Sequence, residues 1–303
     1  MQRRAFLAAS AAVPAAGVAL AHAAAGSQAA PPAESKKFKL KYAPTLGMFR
    51  EHAGADPVDN LTFMADQGFR AFFDNGLMRR DAAEVDKIVK AAERLGLATG
   101  PFVTSVGSMT TAVGDDAFRQ SAEKKMKEAV EFAKRVNATC FLMVPGNLVK
   151  GMAMEEQTKN VVENLKWCCK WVEGSDKCIV LEPLNPRNHP GLFLTKMAQA
   201  VDICRAVGSP ACKIVDDIYH QQITEGDLIP NIDKAWDYIG AFHLGDTPGR
   251  KEPTTGEINY RNIFKHIHDK GYQGVLCMEH GKSKKGKEGE LAVIAAYRWC
   301  DDF

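Results

Sequence analysis

The chain has 303 residues, 46% of them hydrophobic and 25% charged, an ordinary globular composition with enough length for a full core. Its 39 Lys and Arg stand against 37 Asp and Glu, and no interior apolar run approaches the roughly 18 residues of a bilayer-spanning helix. These numbers argue against a bilayer-spanning helix within the domain and leave no broad basic footprint for nucleic acid.

Residues 1–23 stand apart. Gln2-Arg-Arg-Ala-Phe-Leu7, an uncharged Ala/Val-rich stretch and Ala21-His-Ala23 read as a twin-arginine export signal with an A-x-A cleavage site. The expected destination is periplasmic or otherwise extracytoplasmic. Arg3 and Arg4 account for the whole formal excess of positive charge, so the mature protein is balanced. Residues 24–37, rich in Ala, Pro and Ser, are expected to form a flexible lead-in. The folded domain is expected over 38–303.

From Phe38 onward strand-like and helix-like segments alternate. Strands are predicted at Leu40–Pro44, Ala71–Asp74, Ala98–Val103, Cys140–Val144, Ile179–Leu184, Lys213–Ile218, Ile239–His243 and Val275–Glu279. Helices are predicted at Pro57–Gln67, Ala82–Leu95, Asp116–Val136, Glu155–Val172, Lys196–Ala206, Leu228–Ala235, Tyr260–Lys270 and Glu290–Cys300. Eight of each define a (β/α)8 TIM barrel as a single domain. An open doubly wound sheet is disfavoured, because no Gly-x-Gly-x-x-Gly follows the first strand and polar residues recur at strand C-termini throughout.

Four of those strand ends carry the chemistry: Glu182, Asp217, His243 and Glu279. A buried strand does not carry such groups without a partner. In a barrel these ends share one face, so three carboxylates and an imidazole converge into a divalent-metal site with room for substrate. The carboxylates suit Mg2+ or Mn2+, and the imidazole leans the site toward Mn2+ or Co2+.

Glu182-Pro-Leu-Asn-Pro-Arg, Pro190-Gly-Leu-Phe-Leu194, Asp217-Ile-Tyr-His220, Gly245-Asp-Thr-Pro-Gly-Arg250 and Gly256-Glu-Ile-Asn-Tyr260 together resemble the hydroxypyruvate isomerase family. That family lies among the xylose-isomerase-like barrels, which include the tagatose/psicose 3-epimerases. The resemblance implies one divalent ion held by Glu182, Asp217, His243 and Glu279, with Glu182 and Glu279 also exchanging the substrate proton. It implies substrate-binding roles for His220, Arg250 and Glu257, with Glu257 and Asn185 also serving as supporting, loop-organising groups. It points to Asp217 as the ligand of the Asp216–Asp217 pair through the Asp-x-x-His spacing, leaving Asp216 to face the helices or cap a neighbour. His243 stands where hydroxypyruvate isomerases often have Gln, an epimerase-like choice.

The implied activity is interconversion of a small hydroxy-carbonyl compound through an enediolate, hydroxypyruvate with tartronate semialdehyde or a short ketose. Two other readings stay open. An endonuclease IV-like phosphodiesterase would need a multinuclear cluster with several more histidines, and a non-catalytic exported sugar-binding protein would not need two acids flanking an ion. No nucleic-acid or membrane partner is expected, and a homo-oligomer is compatible with the sequence. Of the eight cysteines, Cys140, Cys178, Cys212 and Cys277 read as small buried hydrophobes in strands, with Cys168, Cys169 and Cys300 the better disulfide candidates because they sit on helices. Lys282 to Lys287 reads as a solvated loop, and His266 and His268, at i,i+2 on a helix, face apart and make poor ligands.

Overall fold

A computed structural model describes residues 36–104, 106, 112–114 and 116–303; the expected export signal and most of the lead-in lie outside this range. Among the described residues the strands are β1 (Lys41–Pro44), β2 (Ala71–Phe72), β3 (Ala98–Thr99), β4 (Phe102–Val103), β5 (Cys140–Met143), β6 (Cys178–Leu181), β7 (Cys212–Asp217), β8 (Ile239–Leu244) and β9 (Val275–Met278). The helices are α1 (Arg50–Ala53), α2 (Pro57–Asp66), α3 (Ala82–Leu95), α4 (Asp116–Arg135), α5 (Met154–Cys169), α6 (Met197–Val207), α7 (Ile218–Thr224), α8 (Leu228–Ala235), α9 (Tyr260–Asp269) and α10 (Gly286–Cys300).

All ladders are parallel, in the order β1-β9-β8-β7-β6-β5-β4 with β2 beside β3. The ring closes on both flanks of the β2–β3 pair. A parallel bridge joins Thr45 to Phe73, with Phe73 N–H donating to Pro44 O at 3.1 Å. β3 and β4 are one barrel strand interrupted at Gly100-Pro101, because Pro has no N–H for the ladder. A side chain at Gly100 would sit 2.6 Å from Phe73 Cβ, so the close approach there needs glycine. The result is an eight-stranded barrel, as the alternation predicts.

Strand alternation sorts side chains into two layers. Phe141, Met143, Ile179, Leu181, Ile214, Phe242, Leu276 and Met278 point outward and pack with helix residues such as Ile88, Leu165, Ile203 and Ile267 in the main core. The intervening residues fill the barrel: Cys140, Leu142, Cys178, Val180, Val215 and Ala241 form one interior cluster, and Ala43, Ala71, Phe73 and Cys277 another. Burial of α3 on Val85, Ile88, Ala91 and Ala92 follows the helical repeat. Asp81 starts that helix by accepting from Ala83 N–H and Glu84 N–H, and Gly96, at φ 66°, ends it.

The differences from expectation are local. α7 is not predicted; at seven residues it is too short to show periodicity, and it forms because Asp217 accepts from Tyr219 and His220 N–H. α10 begins at Gly286, four residues before the predicted start. The disulfide is Cys140–Cys178, joining in-register neighbours of β5 and β6 with Cα atoms 4.6 Å apart. This corrects the cysteine expectation. Helical location does not mean exposure: Cys168, Cys169 and Cys300 are buried and free, and burial pushes the Cys168 and Cys300 thiols up to about 12.

Candidate active site

Each of the four strand-end residues stands two positions beyond an interior-facing residue. Glu182 follows Cys178 and Val180, Asp217 follows Val215, His243 follows Ala241, and Glu279 follows Cys277. The period of two therefore aims all four into the C-terminal mouth. Between β7 and β8 the register slips: Ile214 pairs with Ile239, but Val215 pairs with Ala241. The additional residue is Gly240, where a Cβ would lie 2.8 Å from Val180 Cγ1. The bulge brings Asp217 level with His243, so that both point inward.

One ligand-type atom from each of Glu182, Asp217, His243 and Glu279 lies within 4.8 Å of every other. His243 Nδ1 is 3.0 Å from Glu182 Oε1 and 3.1 Å from Glu279 Oε2. Arg250 Nη2 donates to Asp217 Oδ2 at 2.9 Å and Glu279 Oε2 at 2.8 Å, while Asn75 Nδ2 donates to Glu279 Oε1 at 2.5 Å. Asp217 divides its oxygens, with Oδ1 capping α7 and Oδ2 facing the site. Three carboxylates packed in a largely buried mouth require concentrated positive charge. The donor set, hard oxygens plus one imidazole at short mutual distance, fits a divalent metal ion.

The two glutamates differ. Burial pushes the Glu182 carboxyl up to about 7, only partly offset by His243. Burial acts the same way on Glu279, but His243, Arg250 and Asn75 outweigh it and hold that carboxyl at about 2. Separation of two carboxylic pKa values within one site is the usual basis for dividing acid and base work. His243 is also burdened by burial, but Glu279 and Glu182 overcome this and raise it well above its ordinary value. Burial lowers His220 to about 4, with the nearby Asp217 only partly opposing it, so its imidazole is neutral at physiological pH.

The remaining predicted residues divide. His220 enters the mouth, with Nε2 3.6 Å from Asp217 Oδ2, and its Nδ1 lies 2.5 Å from Asn185 Nδ2. Arg250 reaches the carboxylates from the loop after β8 and stacks over Tyr219, 4.8 Å from its ring centroid. Glu257 is not brought to the site. It is exposed, with its carboxylate 3.4 Å from Gln222 Nε2, which corrects its grouping with the substrate-binding residues. The loop is organised by Asp246, which accepts from Thr247, Gly256 and Ile258 N–H. Gly256 is needed there because a Cβ would fall 1.9 Å from Thr247 O. Asp216 does face outward, but it caps nothing: it is fully buried, and neither carboxylate oxygen has a hydrogen-bond partner among the described residues.

Sequence reading missed Asn75, Asn188 and Tyr219. The parity of the second strand, Ala71, Phe73, Asn75, would have placed Asn75 at the mouth had that strand been extended by one residue. His266 and His280 are held elsewhere, by Asp233 and Tyr297 respectively.

The barrel brings three acids and an imidazole together at its mouth, and the relatives that this chain matches include proteins named as isomerases. The chain belongs to the xylose isomerase-like TIM barrel family, whose model matches residues 61–303. It is 31% identical over 175 residues to the hydroxypyruvate isomerase of Escherichia coli K12, an alignment covering 58% of this chain and 65% of that protein, just under two thirds of it. It is 26% identical over 255 residues to the 2-oxo-tetronate isomerase of Cupriavidus necator, covering 82% and 95% respectively. Among solved structures it resembles an AP endonuclease, family 2, from Brucella melitensis, with TM-score 0.73, 23% identity and 85% and 99% coverage. D-psicose 3-epimerase with D-tagatose from Clostridium cellulolyticum H10 gives TM-score 0.66, 20% identity and 86% and 90% coverage. These two structures share the fold.

Proposed function

We propose that this protein is a metal-dependent isomerase of a small 2-oxo acid, of which hydroxypyruvate is the leading candidate. The observation that carries the reading is the mouth itself: two glutamates, both within 3.1 Å of His243 Nδ1, with Arg250 beside one of them. Both relatives' names specify a carboxylate next to a ketone, and Arg250 offers a planar, permanently charged donor for such a group.

Glu182, Asp217, His243 and Glu279 would hold the ion, which when bound supplies a Lewis acid for the carbonyl and adjacent hydroxyl oxygens. The chain supplies the proton traffic. One glutamate takes the proton from the hydroxymethyl carbon, giving an enediolate. The proton then returns at the neighbouring carbon, while the hydroxyl proton moves to the other oxygen, so the aldehyde forms as the ketone is lost. His220 donates to an oxygen that gains charge. Glu279 is part-exposed at the mouth, so its proton can exchange with solvent between removal and return.

A 3-epimerase acting on a neutral ketose is the second reading, supported by His243 in place of glutamine. A screen of the metal-loaded enzyme on hydroxypyruvate, 2-oxo-tetronate and neutral ketoses separates the two. Turnover of the ketoses alone defeats the oxo-acid assignment. Reaction in D2O should place deuterium at the protonated carbon; transfer of the original hydrogen without solvent label would instead indicate a hydride shift and remove the acid–base roles.

Export by the twin-arginine route is the companion proposal. Arg3-Arg4 and the uncharged stretch support it, and a Cys140–Cys178 disulfide suits an oxidising compartment. Replacing both arginines with lysine should retain the precursor in the cytoplasm; a mature protein that begins at Met1 in the native host refutes it.

A further inference from the structure

We infer that Asn185 fixes the tautomer of His220, holding its ring proton on Nε2 so that the imidazole presents an N–H donor to the mouth. The inference rests on the substrate-facing role proposed for His220.

The groups around His220 Nδ1 have an unambiguous hydrogen-bonding sense. Backbone N–H groups only donate. Asn188 N–H donates to Asn185 Oδ1 at 2.8 Å, which fixes that amide's orientation and turns Asn185 Nδ2 away from it. Nδ2 then donates to Asn188 Oδ1 at 3.0 Å and faces His220 Nδ1 at 2.5 Å. Asn185 N–H approaches the same Nδ1 at 3.3 Å. Two donors from one residue converge on Nδ1, so that nitrogen accepts. A neutral imidazole carries its single proton on the other nitrogen. Nε2 is the atom facing Asp217 Oδ2, an acceptor, at 3.6 Å. The opposite tautomer would set a lone pair against that oxygen and bury donors against a donor on the Asn185 side.

The brace continues outward. Tyr219 donates from its hydroxyl to Asn188 Oδ1 at 3.1 Å, and its ring lies under the Arg250 guanidinium. Asn185 and Asn188, both within Asn185-Pro-Arg-Asn188, thereby connect the two residues proposed to hold substrate. Asn185 is a positioning residue: it acts through His220.

The test reads the tautomer directly. Long-range 1H–15N spectra of 15N-histidine-labelled protein, metal-free and Mg2+-loaded, with His220 assigned from its loss in His220→Gln, should show the Nε2-protonated form. Asn185→Asp is isosteric and still accepts from Asn188 N–H, but turns a carboxylate oxygen toward Nδ1, and should move the proton there. It should also lower kcat by about 10- to 100-fold, the scale for losing an orienting partner, with Mg2+ affinity within a few-fold of the parent. Asn185→Ala should show both tautomers. A wild-type His220 protonated on Nδ1, or an unchanged tautomer in Asn185→Asp, overturns the inference. A shifted tautomer with unchanged kcat overturns its catalytic part. Failure of the isomerase assignment appears separately, as no turnover by a wild-type protein whose tautomer is as stated.

Discussion

The barrel interior has two ends built on one alternating pattern and filled with opposite chemistry. Toward the N-terminal end, Cys140 and Cys178 are joined across β5 and β6, above them Val180, Val215 and Ala241 close the lumen, and a cavity of about 230 Å3 opens below. Toward the C-terminal end the same inward positions carry Glu182, Asp217, His243 and Glu279. One end is held by packing and a covalent bond, the other by mutual compensation of charges. Stability is therefore concentrated away from the chemistry, and the polar mouth is tolerable because the rest of the lumen is apolar.

The sharpest way to break this division is at the mouth. Glu279→Gln should lower turnover by about 10²-fold or more, the scale for losing a general acid or base, while elemental analysis shows metal largely retained because an amide oxygen still faces the ion. Equal loss of metal and activity would make Glu279 a ligand only.

Asp217 tests whether the two ends are as separate as they look. It is both a proposed ligand and the cap of α7, so Asp217→Ala should lose metal and also cost about 1 kcal/mol of stability. Asp217→Asn, which still accepts from Tyr219 and His220 N–H, should weaken metal binding while keeping most of that stability. Calorimetric titration with Mn2+ beside urea unfolding distinguishes them.

At the other end the expected effect is reversed. Cys140→Ala with Cys178→Ala should lower unfolding stability by about 2–4 kcal/mol, the usual range for a native disulfide, with kcat and metal affinity unchanged. A change in either would mean that the lumen transmits strain to the mouth.

The last effect lies outside the lumen and leaves the chemistry untouched. Asp216→Leu removes a buried carboxyl without hydrogen-bond partners and should raise stability by about 1–3 kcal/mol, the penalty of such a group. Destabilisation in urea would show that Asp216 has a compensating partner.

Much of this was legible in the chain. Apolar runs of strand length, glycines after helical turns and acids at strand ends give the barrel and the four converging groups, because periodicity and burial act locally. Parity says only that one of Asp216 and Asp217 points inward; the choice of Asp217 comes from the family resemblance, through the Asp-x-x-His spacing. Less legible was anything set by contact between distant elements. Cys140 and Cys178 are 38 residues apart and become partners only through strand register. Glu257 and Asp246 lie in one loop, and only its folded course puts Asp246 inside and Glu257 in solvent.

By itself, then, the sequence determined the alternation of elements, the inward phase of each strand and the residue types at its end. These follow from the pitch of a strand and the cost of burying a charge. Tertiary structure decided the β7–β8 bulge that levels Asp217 with His243, the reach of Arg250 and Asn75 to Glu279, and the Asn188–Asn185–His220 chain. Those depend on register and loop closure, which arise from the whole ring of strands rather than from any one of them.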